Sequence, residues 1–161
     1  MSASENGSEP QRLQVPHIRL VEKAVRRIVR AHDLQSRALA KQCSLTAAQL
    51  VIMKGIVELG EVTSTALSVY ADISPATVVT ILDNLEEREL IQRYRSGSDR
   101  RIVHTRLTDA GRSLLAQAPE PMGDMFMERF LRLPPADQVI AAEAATRLAE
   151  LMSGQSELMK F

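Results

Sequence analysis

The sequence predicts a mainly helical fold with one small β-hairpin, and three observations predict it. Apolar residues recur at helical three-four spacing, as in Ile18, Val21, Val25 and Ile28. Good helix starters stand ahead of apolar runs: Thr46, Thr63, Thr108, and Ser74 with Pro75 behind it. Between residues 91 and 107 the spacing changes to alternation, in Ile91 to Arg95 and Ile102 to Leu107, with Ser96-Gly97-Ser98-Asp99 turning between them. A short helix, a turn, a longer helix and then a hairpin, in that order, make a winged helix-turn-helix.

Composition bounds what such a chain does. At 161 residues it forms one domain, or one compact domain with appended helices, and is short for an elaborate enzyme. Apolar content is 45% with no Trp, so the core must come from Leu, Ile, Val, Ala and Met, which suits helices packed on helices. The single cysteine, Cys43, excludes an intramolecular disulfide, and no other Cys can join a histidine in a zinc site. His17, His32 and His104 are scattered, so neither metal nor cofactor is expected. No run approaches the roughly 20 apolar residues of a membrane span, and the polar start lacks the order of a signal peptide. These points predict a cytoplasmic protein with no membrane partner.

Formal net charge is zero, which argues against nonspecific nucleic-acid binding. Its distribution points the other way. Arg93, Arg95, Arg100, Arg101 and Arg106 face only Asp99 across the hairpin, and local charge decides where a phosphate backbone docks.

Taken in order, residues 1–16 read as a disordered arm, with Pro16 standing where a helix can begin. Residues 17–44 read as a dimerisation helix. Its basic side, Arg19, Lys23, Arg26, Arg27, Arg30 and Arg37, reads first as a solvated face pairing with Glu22 and Asp33, and second as a surface for a partner or distal phosphates. Residues 45–111 form the winged helix-turn-helix. Thr46 starts its first helix and Gly60 stops it; Thr63 caps the next, with Ala66, Leu67 and Tyr70 facing inward. Ala71-Asp72-Ile73 makes the turn, and Ser74-Pro75 opens the longer helix, whose inward face is Val78, Ile81, Leu82 and Leu85. Residues 112–161 read as C-terminal dimerisation helices, interrupted by Pro119, Pro121 and Pro134-Pro135. The end helices carry more apolar surface than a small winged domain covers, and a second copy is the simplest partner. Candidate interface residues are Ile18, Val21, Val25, Ile28, Phe130, Ile140, Leu148 and Leu151.

The helix after the turn has a small, uncharged first turn, so its backbone can approach a base edge or a phosphate. Thr77 and Thr80 can hydrogen-bond there, and Ala76 or Val79 can touch a thymine methyl. An ordinary solvated helix with one stray valine is the plain alternative; the hairpin beside it favours groove contact. Asp99, two residues from Arg101, is near enough to hold its guanidinium, and a held arginine loses less entropy on entering a narrow minor groove. The plain alternative is a surface ion pair worth under about 1 kcal/mol. Candidate DNA contacts are Ser74, Pro75, Ala76, Thr77, Val79 and Thr80, with Thr63 and Thr65 on the preceding helix. Arg93, Arg95, Ser98, Asp99, Arg100 and Arg101 complete the set on the hairpin.

The run Asp99-Arg100-Arg101, a strand, then Leu107-Thr108-Asp109-Ala110-Gly111 resembles the wing of the MarR (multiple-antibiotic-resistance regulator) family of bacterial transcription factors. The helix with Leu82-Asp83, Leu85 and Glu86 resembles that family's recognition helix. The resemblance spans about His17 to Met152. It implies a dimer with intertwined end helices, recognition helices in successive major grooves, Arg101 in the minor groove and an inverted-repeat operator on double-stranded DNA. It also implies a repressor released by a small-molecule effector or a stress signal; Arg37 through Cys43 and the wing resemble regulators of compatible-solute synthesis. Two positions depart from the pattern. Asn84 sits where arginine is frequent. Glu89 replaces the usual glycine, and a left-handed residue there carries roughly 1–2 kcal/mol of strain, which argues for a different turn.

Cys43 does not sit where peroxide sensors of the family keep their thiol, so it reads as buried and inert. Met122, Met125 and Met127 could line an adaptable pocket, but at this spacing they read first as core. A second functional class is a winged helix that binds protein and not DNA. An enzyme comes third, since no nucleophile and base stand together and no Gly-rich phosphate loop occurs.

Overall fold

The computed structural model describes residues 9–153, with side chains from residue 16. Among these, seven helices and one hairpin follow in chain order: α1 (Glu9–Cys43), α2 (Ala47–Leu59), α3 (Ser64–Ala71), α4 (Pro75–Glu87), β1 (Ile91–Arg95), β2 (Val103–Leu107), α5 (Asp109–Gln117), α6 (Asp124–Leu131) and α7 (Pro135–Ser153). The chain divides after Pro121 into two units. α5 packs with the winged unit, its Leu114 and Leu115 lying on the core, so the boundary falls later than the residue 111 that the sequence suggests.

Local sequence places most element boundaries. Thr46 caps α2 by accepting the Gln49 N–H at 3.1 Å, and the Gln49 side chain accepts the Thr46 N–H at 2.9 Å, so two otherwise orphaned donors are satisfied reciprocally. Gly60 ends that helix at φ 74°, where a side chain would be strained. Thr63 and Thr108 each cap their helix, α3 and α5, by accepting the N–H three residues on. α1 is the exception. It begins at Glu9, and Pro16 lies inside it, which corrects both the arm expected over residues 9–16 and the start expected at Pro16. Residues 1–8 of that arm lie outside the described residues.

The winged unit has one core: Leu39 and Cys43 of α1, Leu45, Leu50, Ile52, Met53 and Ile56 around α2, Val62, Leu67, Val78, Leu82, Leu85, Leu90, Ile91 and Leu107. Removing one of these fully buried leucines, such as Leu50 or Leu85, to alanine costs about 2–5 kcal/mol in transfer and cavity terms together. In α3 only Leu67 is buried. Ala66 and Tyr70 are exposed, contrary to the expected inward face, because an eight-residue helix packed on α2 and α4 covers little more than one side-chain row. The Tyr70 ring instead lies across Gly55, where a Cβ would stand 2.7 Å from its Cδ1, and its hydroxyl donates to Glu58 at 2.8 Å.

β1 and β2 pair antiparallel from Ile91 opposite Leu107 to Arg95 opposite Val103, and Val62 adds a bridge to Thr105. In the second unit, α6 and α7 contain no buried residue. Met122 and Met125 are exposed and Met127 is half-buried, so they are not core within this chain.

Candidate nucleic-acid interface

α4 owes its start to Ser74. That hydroxyl accepts the Thr77 N–H at 3.2 Å and meets the Thr77 hydroxyl at 2.8 Å, while Pro75 occupies the first turn, where its missing N–H costs nothing. Val78, Leu82 and Leu85 are buried, which leaves Pro75, Ala76, Thr77, Val79 and Thr80 on the exposed face, as the helical spacing predicts. Thr80 donates its hydroxyl hydrogen back to the Ala76 carbonyl at 3.1 Å. What it presents outward is therefore a methyl group and oxygen lone pairs. Thr63 spends its side chain on capping α3, and Thr65 is exposed beside it.

The end of α4 sets the direction of the wing. Glu89 has φ 57°, so the left-handed turn is made despite the missing glycine, and the expectation of a different turn is corrected. Its cost, about 1 kcal/mol or more, is offset by hydrogen bonds from Glu89 N–H to Glu86 O at 2.9 Å and from Leu90 N–H to Leu85 O at 2.9 Å, together with burial of Leu90. The Glu89 carbonyl accepts the Thr108 hydroxyl at 2.7 Å, and the Leu90 carbonyl accepts the Thr108 N–H at 3.1 Å. Gly111 lies against the same carbonyl, and a Cβ there would stand 2.0 Å from Leu90 O. This close approach is the physical reason for glycine in the Leu-Thr-Asp-Ala-Gly run.

At the wing tip, the Ser96 N–H bonds the Ile102 carbonyl at 2.9 Å and the Arg95 guanidinium donates to the Arg100 carbonyl at 2.7 Å. Asp99 accepts the backbone N–H of Arg101 at 2.9 Å. The carboxylate thus shapes the turn and does not hold the Arg101 guanidinium, contrary to the expectation from sequence; an aspartate two residues back reaches the main chain more readily than the end of a long side chain. Arg100, Arg101 and Ser98 are exposed, and among the described residues neither of the Arg100 and Arg101 guanidinium groups has a hydrogen-bonding or ion-pair partner.

Arg93 differs from the other wing arginines. Its Nε donates to Glu86 Oε2 at 2.8 Å, and its Nη2 reaches Glu86 Oε2 at 2.5 Å and Asp83 Oδ1 at 2.6 Å. The hydrogen bonds from Arg93 hold the Glu86 carboxyl below the usual carboxylate range, and those to Glu86 and then Asp83 push the Arg93 guanidinium further up. The sequence places Arg93 with the DNA-facing arginines by charge alone. A signal for its pairing was present: it shares strand parity with Ile91, which is buried, so it points to the same side, toward α4. Gln49, which sequence reasoning passed over, bonds Asn84 of α4 at 2.7 Å, and Asn84 is thereby engaged within the fold.

Cys43 is buried, with its Sγ 4.0 Å from the Gln117 carbonyl. Of the expected interface residues, Ile18, Val21, Ile28, Ile140 and Leu151 are exposed, while Val25, Phe130 and Leu148 are half-buried; the Phe126 and Phe130 rings stack at 5.5 Å.

Comparison with known proteins bears on this geometry. A family model described as MarR family matches residues 45–103, which spans α2 through the start of β2. The uncharacterized HTH-type transcriptional regulator YhbI of Bacillus subtilis is 31% identical over 113 residues, 70% of this chain and 73% of that protein. A MarR family transcriptional regulator from Streptomyces coelicolor, solved in complex with DNA, superposes with a TM-score of 0.68 at 23% identity, over 82% of this chain and 85% of that one. BpsR of Bordetella bronchiseptica, whose DNA binding is regulated by 6-hydroxynicotinic acid, superposes with a TM-score of 0.62 at 25% identity, over 81% of this chain and 98% of that one. With a capped helix, an arginine-tipped wing and these relatives, the chain belongs to the MarR family of transcriptional regulators.

Proposed function

We propose that this regulator is a cytoplasmic homodimer that binds an inverted-repeat operator and represses transcription until a small ligand or stress signal releases it, with compatible-solute genes among its candidate targets. One observation carries the DNA reading: the exposed face of α4 (Ala76, Thr77, Val79, Thr80) is joined through a fixed turn to a wing whose Arg100 and Arg101 are exposed. A helix fits the major groove and a basic hairpin the adjacent minor groove, so one protomer reads one half-site, and a two-fold dimer reads two about 10 bp apart. The DNA complex of the Streptomyces relative supports the docking, and the regulation of BpsR by 6-hydroxynicotinic acid supports an effector. The exposed apolar rows on α1, α6 and α7 support a second copy. Thr63, the cap of α3, and Thr65, in its first turn, reach phosphates in this docking. Arg95, braced to the wing tip, does the same.

The test is a salt series with duplex DNA from upstream of the protein's own gene. Arg101→Ala weakens binding to every sequence and lowers the log–log salt slope by about 0.9 for each phosphate that the variant no longer neutralises. Thr80→Ala leaves the slope unchanged and erodes discrimination at one base pair by about 1–3 kcal/mol. Unaltered affinity and slope in Arg101→Ala would mean that the wing does not touch DNA, and a protein-binding winged helix would take its place.

A further inference from the structure

α4 is held along its C-terminal half from two sides. On one side Asp83 and Glu86, one turn apart, are both taken by Arg93 of β1, whose backbone N–H also donates to Glu86 Oε1 at 3.1 Å. On the other, Asn84 Oδ1 accepts from Gln49 Nε2, and Gln49 is itself fixed by the reciprocal cap at the start of α2. The residues offered to a base edge, Ala76 to Thr80, precede this bracket on the same helix. Arg93 is 30% exposed at its side chain, against 57% for Asp83 and 37% for Glu86, so it is the least accessible member of the cluster.

We infer that Arg93 is a positioning residue: it does not bind DNA but locks α4 to the wing strand at the angle at which both enter neighbouring grooves, and it offsets one of the two negative charges that Asp83 and Glu86 would otherwise set beside the phosphate backbone. This rests on the DNA-binding reading above. A planar guanidinium bound through two nitrogens to carboxylates one turn apart fixes direction as well as distance, which a lysine could not do. Two carboxylates on a helix that faces DNA also repel phosphates; Arg93 offsets one of the two charges, and no other cation is bonded to either carboxylate among the described residues.

The experiment compares the full-length protein and its variants on their own upstream DNA and on a scrambled duplex of equal length, across a salt series, with thermal melts as the check on folding. Arg93→Glu should bind the upstream DNA at least a hundredfold more weakly. The swap of Arg93→Glu with Glu86→Arg, which restores the same three charges, should recover to within about tenfold of the starting affinity. Asp83→Asn with Glu86→Gln releases an unmasked guanidinium: the salt slope should steepen by up to about 0.9 per protomer, while preference for the upstream DNA over the scrambled duplex falls at least tenfold. A side chain that merely stabilised the fold would lower the melting temperature without steepening the slope. The inference is overturned if Arg93→Gln flattens the slope by about 0.9 per protomer and the swap restores nothing, since Arg93 would then be a direct phosphate ligand. Should the swap fail to fold, the neutral pair decides by the direction of its slope change. If the unaltered protein binds neither duplex, the DNA reading has failed and takes this inference with it; if it binds and the variants depart from these results, the inference alone falls.

Discussion

The winged unit and the α6–α7 unit both carry large apolar side chains and end in opposite conditions. In the first, Leu50, Ile52, Met53, Leu67, Val78 and Leu85 are fully buried, the starts of α2, α3 and α4 are capped and α4 is bonded to α2 and β1. In the second, Met125, Leu131, Val139, Ile140, Leu151 and Met152 are exposed and neither helix buries a residue. What differs is closure. A three-helix motif with a hairpin can cover an apolar face with its own elements, whereas two helices in succession leave theirs for a partner. In the proposed reading, recognition falls to the closed body around α4 and the wing, and assembly to the apolar rows left open on α1, α6 and α7.

The largest expected effect breaks the comparison at its weaker side. Deleting residues 136–161 removes most of α7, and light scattering should then find monomer or aggregate in place of dimer. A soluble dimer after that deletion would place the proposed interface elsewhere.

The next breaks the finished side. Gly111→Ala puts a methyl 2.0 Å from Leu90 O, and backbone cannot give way as a side-chain tip does, so a destabilisation of about 3 kcal/mol or more is expected in denaturant melts. Gly97→Ala at the wing tip, where a Cβ meets nothing within 4 Å, serves as the control and should change stability little.

A smaller change sharpens the comparison by improving what is already closed. Glu89→Gly relieves the left-handed strain at φ 57° and should stabilise the protein by up to about 1 kcal/mol, the greater chain entropy of glycine offsetting part of the gain. No rise in the melting temperature would mean that Glu89 makes up its strain through an interaction of its own.

The smallest effect concerns Cys43. Its thiol is buried in the core at the end of α1, so Cys43→Ser should leave both DNA affinity and its response to peroxide unchanged. Disappearance of a peroxide response in that variant would give the thiol a sensing role.

Much of this was legible in the sequence, for reasons of range. Thr46, Thr63, Ser74 and Thr108 each act on a residue three positions on, so a capping residue can be read locally. The wing was legible because alternation flips the side chains of neighbouring residues, and because the family resemblance placed Asp99 and Gly111. What escaped is what depends on contacts between elements. Arg93 lies ten residues from Asp83 and finds it only after a left-handed turn reverses the chain, and Gln49 reaches Asn84 from another helix altogether. The early start of α1 escaped for another reason: Pro16 marks a helix beginning only if nothing helical precedes it, and local sequence leaves that condition open.

The junction where α4 ends and α5 begins is a mechanical part. A hinge needs torsions that can turn without breaking bonds, yet here Leu90 N–H, Leu90 C=O and Glu89 C=O are all engaged, and Gly111 fills the remaining gap. Any tilt of α4 must therefore carry the first turn of α5 with it as one lever. Gly60, at the end of α2, has no such packing at its Cβ position, where nothing stands within 4 Å.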